Sequence, residues 1–192
     1  MKFVAIDFET ANYCAAGICA AGVATFEDGA LTESKYWLIR PPKGSGWFRD
    51  ERIAVHGITH ETVRSCPEFP GIAPEFFSRL AAADIVIAHR APFDMGKLCA
   101  TTKHFSLKIP PFDSLCTLAL ARAVWPRPLL TNHDLSTVAS HIGHKFEHHH
   151  ALADAEAAGR ILLAMMQEKG VAEPRVLAEM LGVRPVAVRG GT

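Results

Sequence analysis

The stretch FVAIDFET, residues 3–10, has the apolar character of a buried β-strand, yet it contains two carboxylates, Asp7 and Glu9. Side chains alternate between the two faces of a strand, so both carboxylates point the same way while Phe8 points into the opposite layer. Mutual repulsion and desolvation disfavour ionisation of both, and such a pair usually shares a proton or holds a cation. The alternative is that residues 7–9 merely end the strand, with both carboxylates in water.

The composition of the 192-residue chain is that of a globular domain. At this length a single domain buries roughly 70% of the surface of its unfolded chain. Hydrophobic residues make up 49% of the sequence, but no apolar run approaches the ~18 residues of a membrane span. Residues 1–8 also lack the apolar segment of a signal peptide. We therefore expect a cytoplasmic protein with no membrane partner.

The charge balance and the cysteines narrow the class of protein further. The net charge is zero, from 20 basic and 20 acidic residues. This balance argues against a protein that coats long nucleic acid, but it allows an enzyme that holds a few nucleotides at an end. The five cysteines are scattered and never spaced as C-x-x-C, so we expect reduced thiols rather than a disulfide framework or a zinc ribbon.

The order of the predicted elements is that of an α/β domain, with a mixed β-sheet flanked by helices on both faces. Strand-like patterns lie at 3–7, 18–26, 35–41 and 84–89. Helical patterns begin near Thr59 and lie at 73–84, 93–105, 114–125, 132–143 and 151–170. A surface loop is predicted at 40–51. We expect a domain of residues 1–170 and, at 171–192, a packing helix followed by a frayed end.

Two further carboxylates occupy positions where charge is unexpected. Asp94 follows the strand predicted at 84–89, where open α/β sheets tend to build their sites, although the helix dipole alone also favours a carboxylate in a first turn. Asp154 belongs to a helical stripe whose other members are apolar, namely Ala151, Ala158, Ile161 and Met165. A carboxylate in a buried stripe requires a partner, so we expect Asp154 to point into the protein near Asp7 and Glu9.

Three consecutive histidines, His148 to His150, precede Asp154 and raise the alternative of a zinc site, with His133, His141 and His144 nearby. Histidine ligands of zinc usually share one side of an element, as in H-x-x-x-H on a helix, whereas adjacent side chains diverge. We therefore expect that this row of three does not converge on one ion.

The stretches FVAIDFET, VIAHRAPFD and HHHALADA, in this order, resemble the three motifs of the DEDDh exonucleases. This family is part of the ribonuclease-H-like superfamily and includes the epsilon proofreading subunit of DNA polymerase III. The signal HGIT at 56–59 is also similar to stand-alone epsilon-like exonucleases. The resemblance covers about residues 2–166 and implies 3′→5′ removal of nucleoside monophosphates.

The resemblance implies that Asp7, Glu9, Asp94 and Asp154 hold two divalent cations, Mg²⁺ or Mn²⁺. Carboxylate oxygens are hard ligands that suit Mg²⁺, and two ions ~4 Å apart can serve both the attacking and the leaving oxygen of a phosphodiester. By the family pattern Asp7 would bridge the ions, Glu9 and Asp154 would complete the site of the attacking water, and Asp94 would act partly through water.

The same resemblance implies a general base. The family places a histidine five residues before the last carboxylate, which is His149 in this sequence, and a histidine accepts a proton near neutral pH. We expect His149 on the loop before the helix, folded back over the metals. His148 and His150 are then expected to face solvent or to form hydrogen bonds.

The resemblance also indicates where the terminal nucleotide binds. Thr10, Ala11, His56 and Phe93 are candidates to hold it by backbone contacts and stacking, and the alternative for Phe93 is plain core packing. Every base has an aromatic face that can stack on a side chain, so little sequence preference is expected. Arg90 stands where the family has asparagine, and it would either contact a phosphate or point into water.

The sequence leaves the substrate open. We expect nucleic acid 3′ ends as the partner, with single-stranded DNA first, and a DNA polymerase is a candidate partner. An RNA exonuclease of the same fold would differ in how the pocket treats the 2′-hydroxyl. A nucleic-acid-binding subunit without turnover is the alternative from another class. No oligomeric state is predicted.

Overall fold

The structure is a computed structural model that describes residues 1–189, in which six strands form one sheet. The strands are β1 (Lys2–Thr10), β2 (Ile18–Glu27), β3 (Ala30–Leu38), β4 (Ile85–Ala88), β5 (Phe112–Cys116) and β6 (Val186–Val188). Their order across the sheet is β3-β2-β1-β4-β5-β6. The pairs β1–β4 and β4–β5 are parallel, and the other pairs are antiparallel. The predicted mixed sheet is confirmed.

Eight helices of the described residues cover both faces of this sheet. They are α1 (Asp50–His56), α2 (His60–Val63), α3 (Phe69–Ala81), α4 (Ala91–His104), α5 (Thr117–Val124), α6 (Leu135–His141), α7 (Ala151–Lys169) and α8 (Pro174–Met180). Helices α3 and α4 pack beside Val4 and Ile6 of β1, and α5 to α8 pack on the opposite face beside Phe3. Strand alternation therefore directs Asp7 and Glu9 toward the face that α7 covers.

Several predicted elements are present with different bounds. Strands β1 and β2 extend the predicted runs by one to three residues. Strand β3 begins at Ala30 rather than at residue 35, because its first half is largely exposed and lacks the apolar alternation that marks a strand. Helix α2 begins at His60, and the predicted start near Thr59 is confirmed by a capping box in which the Thr59 side chain accepts from the Thr62 backbone.

Three elements differ from the prediction. Strand β5 occupies residues at the start of the helix predicted at 114–125, because five residues are too few to show either periodicity. Helix α1 begins inside the predicted loop and buries no residue, so it carries no apolar stripe. Strand β6 lies where a frayed end was expected and pairs with β5. Residues 190–192 of that expected end lie outside the described residues.

The C-terminal residues are attached to the sheet by charge as well as by backbone. The guanidinium groups of Arg175 and Arg189 donate to the Asp113 carboxylate of β5 at 2.9 Å and 3.2 Å. The division of the chain after residue 170 stays a prediction. Within residues 1–189, none of the helices combines the length and the apolar character that a bilayer span requires.

Two glycines allow α7 to lie directly on the sheet. Gly22 of β2 pairs with Asp7 across the ladder, and a Cβ atom at this position would overlap the backbone of Ala151 at the start of α7. A Cβ atom on Gly159 of α7 would overlap the ring of Phe26 in the same way. The first turn of α7 therefore meets the sheet beside the carboxylates of β1.

Candidate active site

Three of the four predicted carboxylates converge at one place on the sheet. One oxygen each of Asp7, Glu9 and Asp154 lies within 4.8 Å of the other two. Glu9 and Asp154 are buried, at 8% and 4% exposure, and Asp7 is partly buried. The stripe of α7 that contains Asp154 is buried as expected, because it faces β1 and β2. The carboxylates of β1 therefore do not end the strand in open water.

Asp94 reaches the same region from the first turn of α4. Strands β1 and β4 are parallel, so their carboxyl ends meet at one edge of the sheet, and α4 begins just after β4. Asp94 is buried, with 2% exposure, and its charge is close enough to raise the pKa of Asp7. The structure thus brings all four predicted carboxylates to one edge.

The protonation of the cluster is set by burial and by repulsion. Burial raises the pKa of Asp7 well above its usual range, and the charges of Asp94, Asp154 and Glu9 raise it further. Burial also raises the pKa of Glu9, to about 8, with a further contribution from Asp154. The cluster therefore retains protons near neutral pH unless a cation compensates for its charge.

The donor set fits a divalent cation. Burial raises the pKa of Asp94, although the backbone N–H groups of Asp94 and Phe8 lower it in part. Its Oδ1 atom is buried and accepts no hydrogen bond from any described residue. A buried carboxylate oxygen without a partner is destabilising, and a hard cation such as Mg²⁺ or Mn²⁺ would satisfy it.

The three consecutive histidines have three different environments. The ring of His148 hydrogen-bonds through Nδ1 to Asp154 Oδ1 at 3.0 Å. His149 lies on the loop before α7 and is exposed, and its backbone N–H donates to both Asp154 oxygens, at 3.3 Å and 3.2 Å. His150 caps α7 by accepting from Ala153 N at 3.4 Å, and its ring stacks on Tyr36 at 4.4 Å.

The expectation that adjacent histidines diverge is correct only for His150. The rings of His148 and His149 stack with centroids 3.8 Å apart, and each offers a nitrogen within 4.8 Å of the Asp154 carboxylate. The cause is the left-handed backbone of His149, with φ of 68°, which breaks the alternation of an extended chain. The third histidine has turned away, so the row does not converge as a set of three.

The ring of His149 is suited to accept a proton. Burial lowers its pKa, and the neighbouring His148 lowers it further, while Asp154 raises it. A lowered pKa keeps the imidazole neutral at pH 7. The backbone bond to Asp154 fixes the loop without using either ring nitrogen.

The four residues predicted to hold a nucleotide differ in how much surface they offer. Thr10 and Ala11 are buried, at 3% and 0% exposure. The Ala11 N–H donates to Gly17 O at 2.9 Å. This backbone donor therefore already has a partner within the protein. Phe93 is 45% exposed, which excludes plain core packing for this ring.

His56 connects α1 to the end of β1. Its Nε2 lies 3.2 Å from Thr10 O, and its Nδ1 accepts from Ile58 N at 3.0 Å. These two bonds define a neutral ring with the proton on Nε2. Burial lowers the pKa of His56, which agrees with the neutral form.

Asn12 is a structural residue of the site that sequence reasoning missed. It is fully buried, and its side-chain amide donates to Ser45 O at 2.8 Å and Trp47 O at 2.6 Å. Its Oδ1 accepts from Cys14 N at 2.7 Å. An asparagine just past a strand, bonding two residues onward, is a turn signal, but its long-range bonds leave no mark in the sequence.

Arg90 lies at the surface with a side chain that is 63% exposed, as expected for a residue that points into water, and a phosphate contact stays a prediction. Its guanidinium donates to Asp134 Oδ1 at 3.0 Å, which links the start of α4 to the residue before α6. The backbone of Arg90 is left-handed, with φ of 77°, a conformation that asparagine adopts more readily. The ion pair is exposed, so its stabilising effect is small, about 0–1 kcal/mol.

Solved structures with the same fold are nucleases. Exonuclease X in complex with 5′ overhanging duplex DNA is 22% identical to the chain, with a TM-score of 0.75 over 94% of this chain and 99% of that one. The nuclease domain of 3′hExo, a DEDDh family member bound to rAMP, is 18% identical, with a TM-score of 0.74 over 87% and 92% of the two chains. The predicted ribonuclease-H-like fold is confirmed.

The family model described as exonuclease, RNase_T, matches residues 4–162. The chain belongs to this exonuclease family of hydrolytic nucleases, and the predicted resemblance to DEDDh enzymes is confirmed. The epsilon subunit of DNA polymerase III from Aquifex aeolicus is 30% identical over 170 residues, 86% of this chain and 81% of that protein. The PolC-type DNA polymerase III of Oceanobacillus iheyensis is 34% identical over 116 residues, 60% of this chain but only 8% of that protein.

Proposed function

We propose that the protein is a 3′→5′ exonuclease that releases nucleoside 5′-monophosphates from DNA ends with the help of two divalent ions. The observation that supports this most directly is the convergence of Asp7, Glu9 and Asp154 within 4.8 Å, with Asp94 at the same edge of the sheet. An acidic cluster that retains protons when empty is suited to bind cations together with a phosphate.

The four carboxylates, Asp7, Glu9, Asp94 and Asp154, would hold the two ions, Mg²⁺ or Mn²⁺. When bound, such ions supply an ionisable water and neutralise charge on the leaving oxygen. Glu9 and Asp154 would orient the attacking water, and Asp94 would act partly through water. The ligand charges stay in place because β1, α4 and α7 are packed elements rather than loops.

His149 would take the proton of the attacking water. Its ring is exposed beside Asp154, and its lowered pKa keeps a nitrogen free to accept. His148 would hold Asp154 in position through its 3.0 Å bond. Phe93 would stack on the terminal base, and Thr10, Ala11 and His56 would form the wall of its pocket.

DNA is the proposed substrate because a relative at 30% identity is the epsilon subunit of DNA polymerase III and one at 34% identity is a PolC-type DNA polymerase III. RNA is the alternative, and the fold allows it, since 3′hExo carries rAMP. A catalytically silent nucleic-acid-binding subunit would need a broken site, whereas all four carboxylates and His149 are present. Association with a DNA polymerase is a candidate partnership, and the cytoplasmic location stays a prediction.

The test is digestion of matched DNA and RNA oligonucleotides labelled at the 5′ or the 3′ end, with and without Mg²⁺. We expect Mg²⁺-dependent release of labelled mononucleotide from 3′-labelled DNA and a ladder of shortened products from 5′-labelled DNA. Faster digestion of RNA than of DNA would support the alternative, an RNA exonuclease of the same fold. Binding without any release, in Mg²⁺ and in Mn²⁺, would support the silent subunit.

A further inference from the structure

Helix α1 places an arginine beside the acidic cluster. Arg52 and His56 are four residues apart and therefore lie on one face of α1, the face that reaches β1 through the bond from His56 to Thr10 O. The charge of Arg52 lowers the pKa of Glu9 and opposes protonation of His56. The charge of Arg52 therefore acts on both the Glu9 carboxylate and the His56 ring.

The side chain of Arg52 lacks a polar partner. Among residues 1–189 it forms no ion pair and no side-chain hydrogen bond, and its Nε atom is buried without an acceptor. Its contact is with the ring of Tyr13, 4.8 Å from the guanidinium carbon to the ring centroid. A buried N–H group without an acceptor is destabilising unless a ligand satisfies it, and an anion would suit a guanidinium.

A second arginine on the same ring provides a comparison within the chain. Arg49 also lies 4.8 Å from the Tyr13 centroid, but its guanidinium forms an ion pair with Glu51. The Tyr13 residue is 60% exposed, and both guanidinium carbons lie at the same distance from its ring. The Nε atoms of both arginines are buried without a hydrogen-bond acceptor, but within residues 1–189 Arg49 has an ion-pair partner and Arg52 has none.

We propose that Arg52 binds the phosphate of the 3′-terminal nucleotide on the Glu9 side of the site, with the Tyr13 ring orienting its guanidinium. This inference rests on the proposed function. A guanidinium recognises phosphate through two parallel N–H donors and keeps its charge at every working pH. Stacking on Tyr13 restricts the side chain before the substrate arrives, which lowers the entropic cost of binding.

The proposal distinguishes Arg52 from a residue that only balances the charge of Glu9. If Arg52 only balanced the charge of Glu9, its replacement would change metal affinity and protein stability. It would then change the affinity for thymidine and for its monophosphate by the same factor. A phosphate-binding residue acts on ligands that carry the phosphate and leaves the bare nucleoside unaffected. A lysine at this position would keep the charge but lose the paired donors, so it would restore only part of the affinity.

The experiment is calorimetric titration of the wild type and of Arg52→Gln, Arg52→Lys and Arg49→Gln with thymidine 5′-monophosphate and with thymidine, in Mg²⁺. We expect Arg52→Gln to lower the affinity for the monophosphate by about 10- to 100-fold. Its affinity for thymidine should fall by less than about twofold. Arg52→Lys should recover part of the loss, and Arg49→Gln should stay within about twofold of the wild type. Thermal melts of each variant establish that it is folded, and Arg52→Lys keeps the charge if Arg52→Gln does not fold.

Three outcomes would overturn the inference. The first is an equal loss of affinity for thymidine and its monophosphate, and the second is a loss in Arg49→Gln as large as in Arg52→Gln. The third is unchanged monophosphate affinity in Arg52→Gln. Failure of the proposed function would give a different result. The wild type would then bind the monophosphate with an affinity that depends on Arg52 but would release no mononucleotide from any strand. A wild type that cleaves DNA while Arg52→Gln binds the monophosphate normally would overturn the inference alone.

Discussion

The backbone N–H of His149 donates to both carboxylate oxygens of Asp154, at 3.3 Å and 3.2 Å, although five residues separate them. The left-handed backbone of His149 makes this bond geometrically accessible. The proposed base and a proposed metal ligand are therefore held together by the main chain rather than by the imidazole. The side chain of His149 is free to take part in chemistry.

Replacement of His149 by alanine should lower kcat by about 10²–10⁴-fold, as loss of a general base does, while metal and DNA still bind. Binding is expected to persist because the backbone bond to Asp154 does not depend on the side chain. Single-turnover rates and calorimetric Mg²⁺ titration measure the two effects. The pH–rate profile of the variant should lose or displace its rising limb. A normal rate in this variant, with a large loss in His150→Ala, would move the base to position 150.

Replacement of His150 by alanine should affect stability more than rate. The ring caps α7 at Ala153 N and stacks on Tyr36, so its loss should reduce the free energy of unfolding by about 1 kcal/mol. Urea denaturation measures this change, and the cleavage rate should remain within a few-fold of the wild type. Retention of full stability would show that the cap and the stack contribute nothing measurable.

Replacement of Asp7 by asparagine should abolish turnover and raise the melting temperature of the metal-free protein. The pKa of Asp7 is raised by burial and by three neighbouring carboxylates, so an uncharged side chain relieves both penalties. Melting in EDTA and cleavage in Mg²⁺ measure the two effects. Asp50→Asn, at an exposed position on α1, is the control and should change stability by less than about 0.5 kcal/mol. A cleavage rate near that of the wild type would exclude Asp7 as the bridging ligand.

The metal-free protein should lose stability as the pH rises from 5 to 8. The pKa of Glu9 is about 8 in the folded protein against 4.5 for a free glutamate, so the folded state holds the proton more tightly. Its stabilising contribution is complete below pH 4.5 and disappears as the pH passes 8. Added Mg²⁺ should therefore raise the melting temperature more at pH 8 than at pH 5.5.

Two variants separate this effect from general charge effects. Glu9→Gln should flatten the pH dependence of the metal-free melting temperature, because the titrating group is gone. Glu61→Gln, at an exposed position on α2, should leave the dependence as it is. A flat profile in the wild type would mean that Glu9 titrates normally.

Replacement of Gly22 by alanine should reduce both stability and activity. The added methyl group would overlap the backbone of Ala151, so α7 must move away from β2, at a cost of about 1–3 kcal/mol. Movement of α7 also displaces Asp154 from Asp7. Gly96→Ala is the control for stability, because no atom lies within 4 Å of its added Cβ, and it should stabilise α4 by about 0.5–1 kcal/mol. Thermal melts and cleavage rates of both variants measure these changes, and a fully active Gly22→Ala would contradict the prediction.

The sequence predicted the carboxylates better than it predicted their surroundings. Asp154 was recognisable because one charge interrupts an apolar helical stripe, and Asp7 and Glu9 because they interrupt an apolar strand. Arg52 was not recognisable, because α1 buries no residue and therefore carries no periodic pattern. Its position depends on long-range bonds from Asn12 to the loop before α1, and such bonds leave no local signal.

The contact between Gly159 and Phe26 also fixes α7 along its own axis. The Phe26 ring stacks on Phe3 of β1, with centroids 4.8 Å apart, and fills the space where α7 has no side chain. A slide of one helical turn, about 5.4 Å, would place a side chain at this point against the ring. Register slippage of α7 is therefore sterically blocked. Any movement that accompanies substrate binding would therefore have to leave Asp154, on α7, in its place on the sheet.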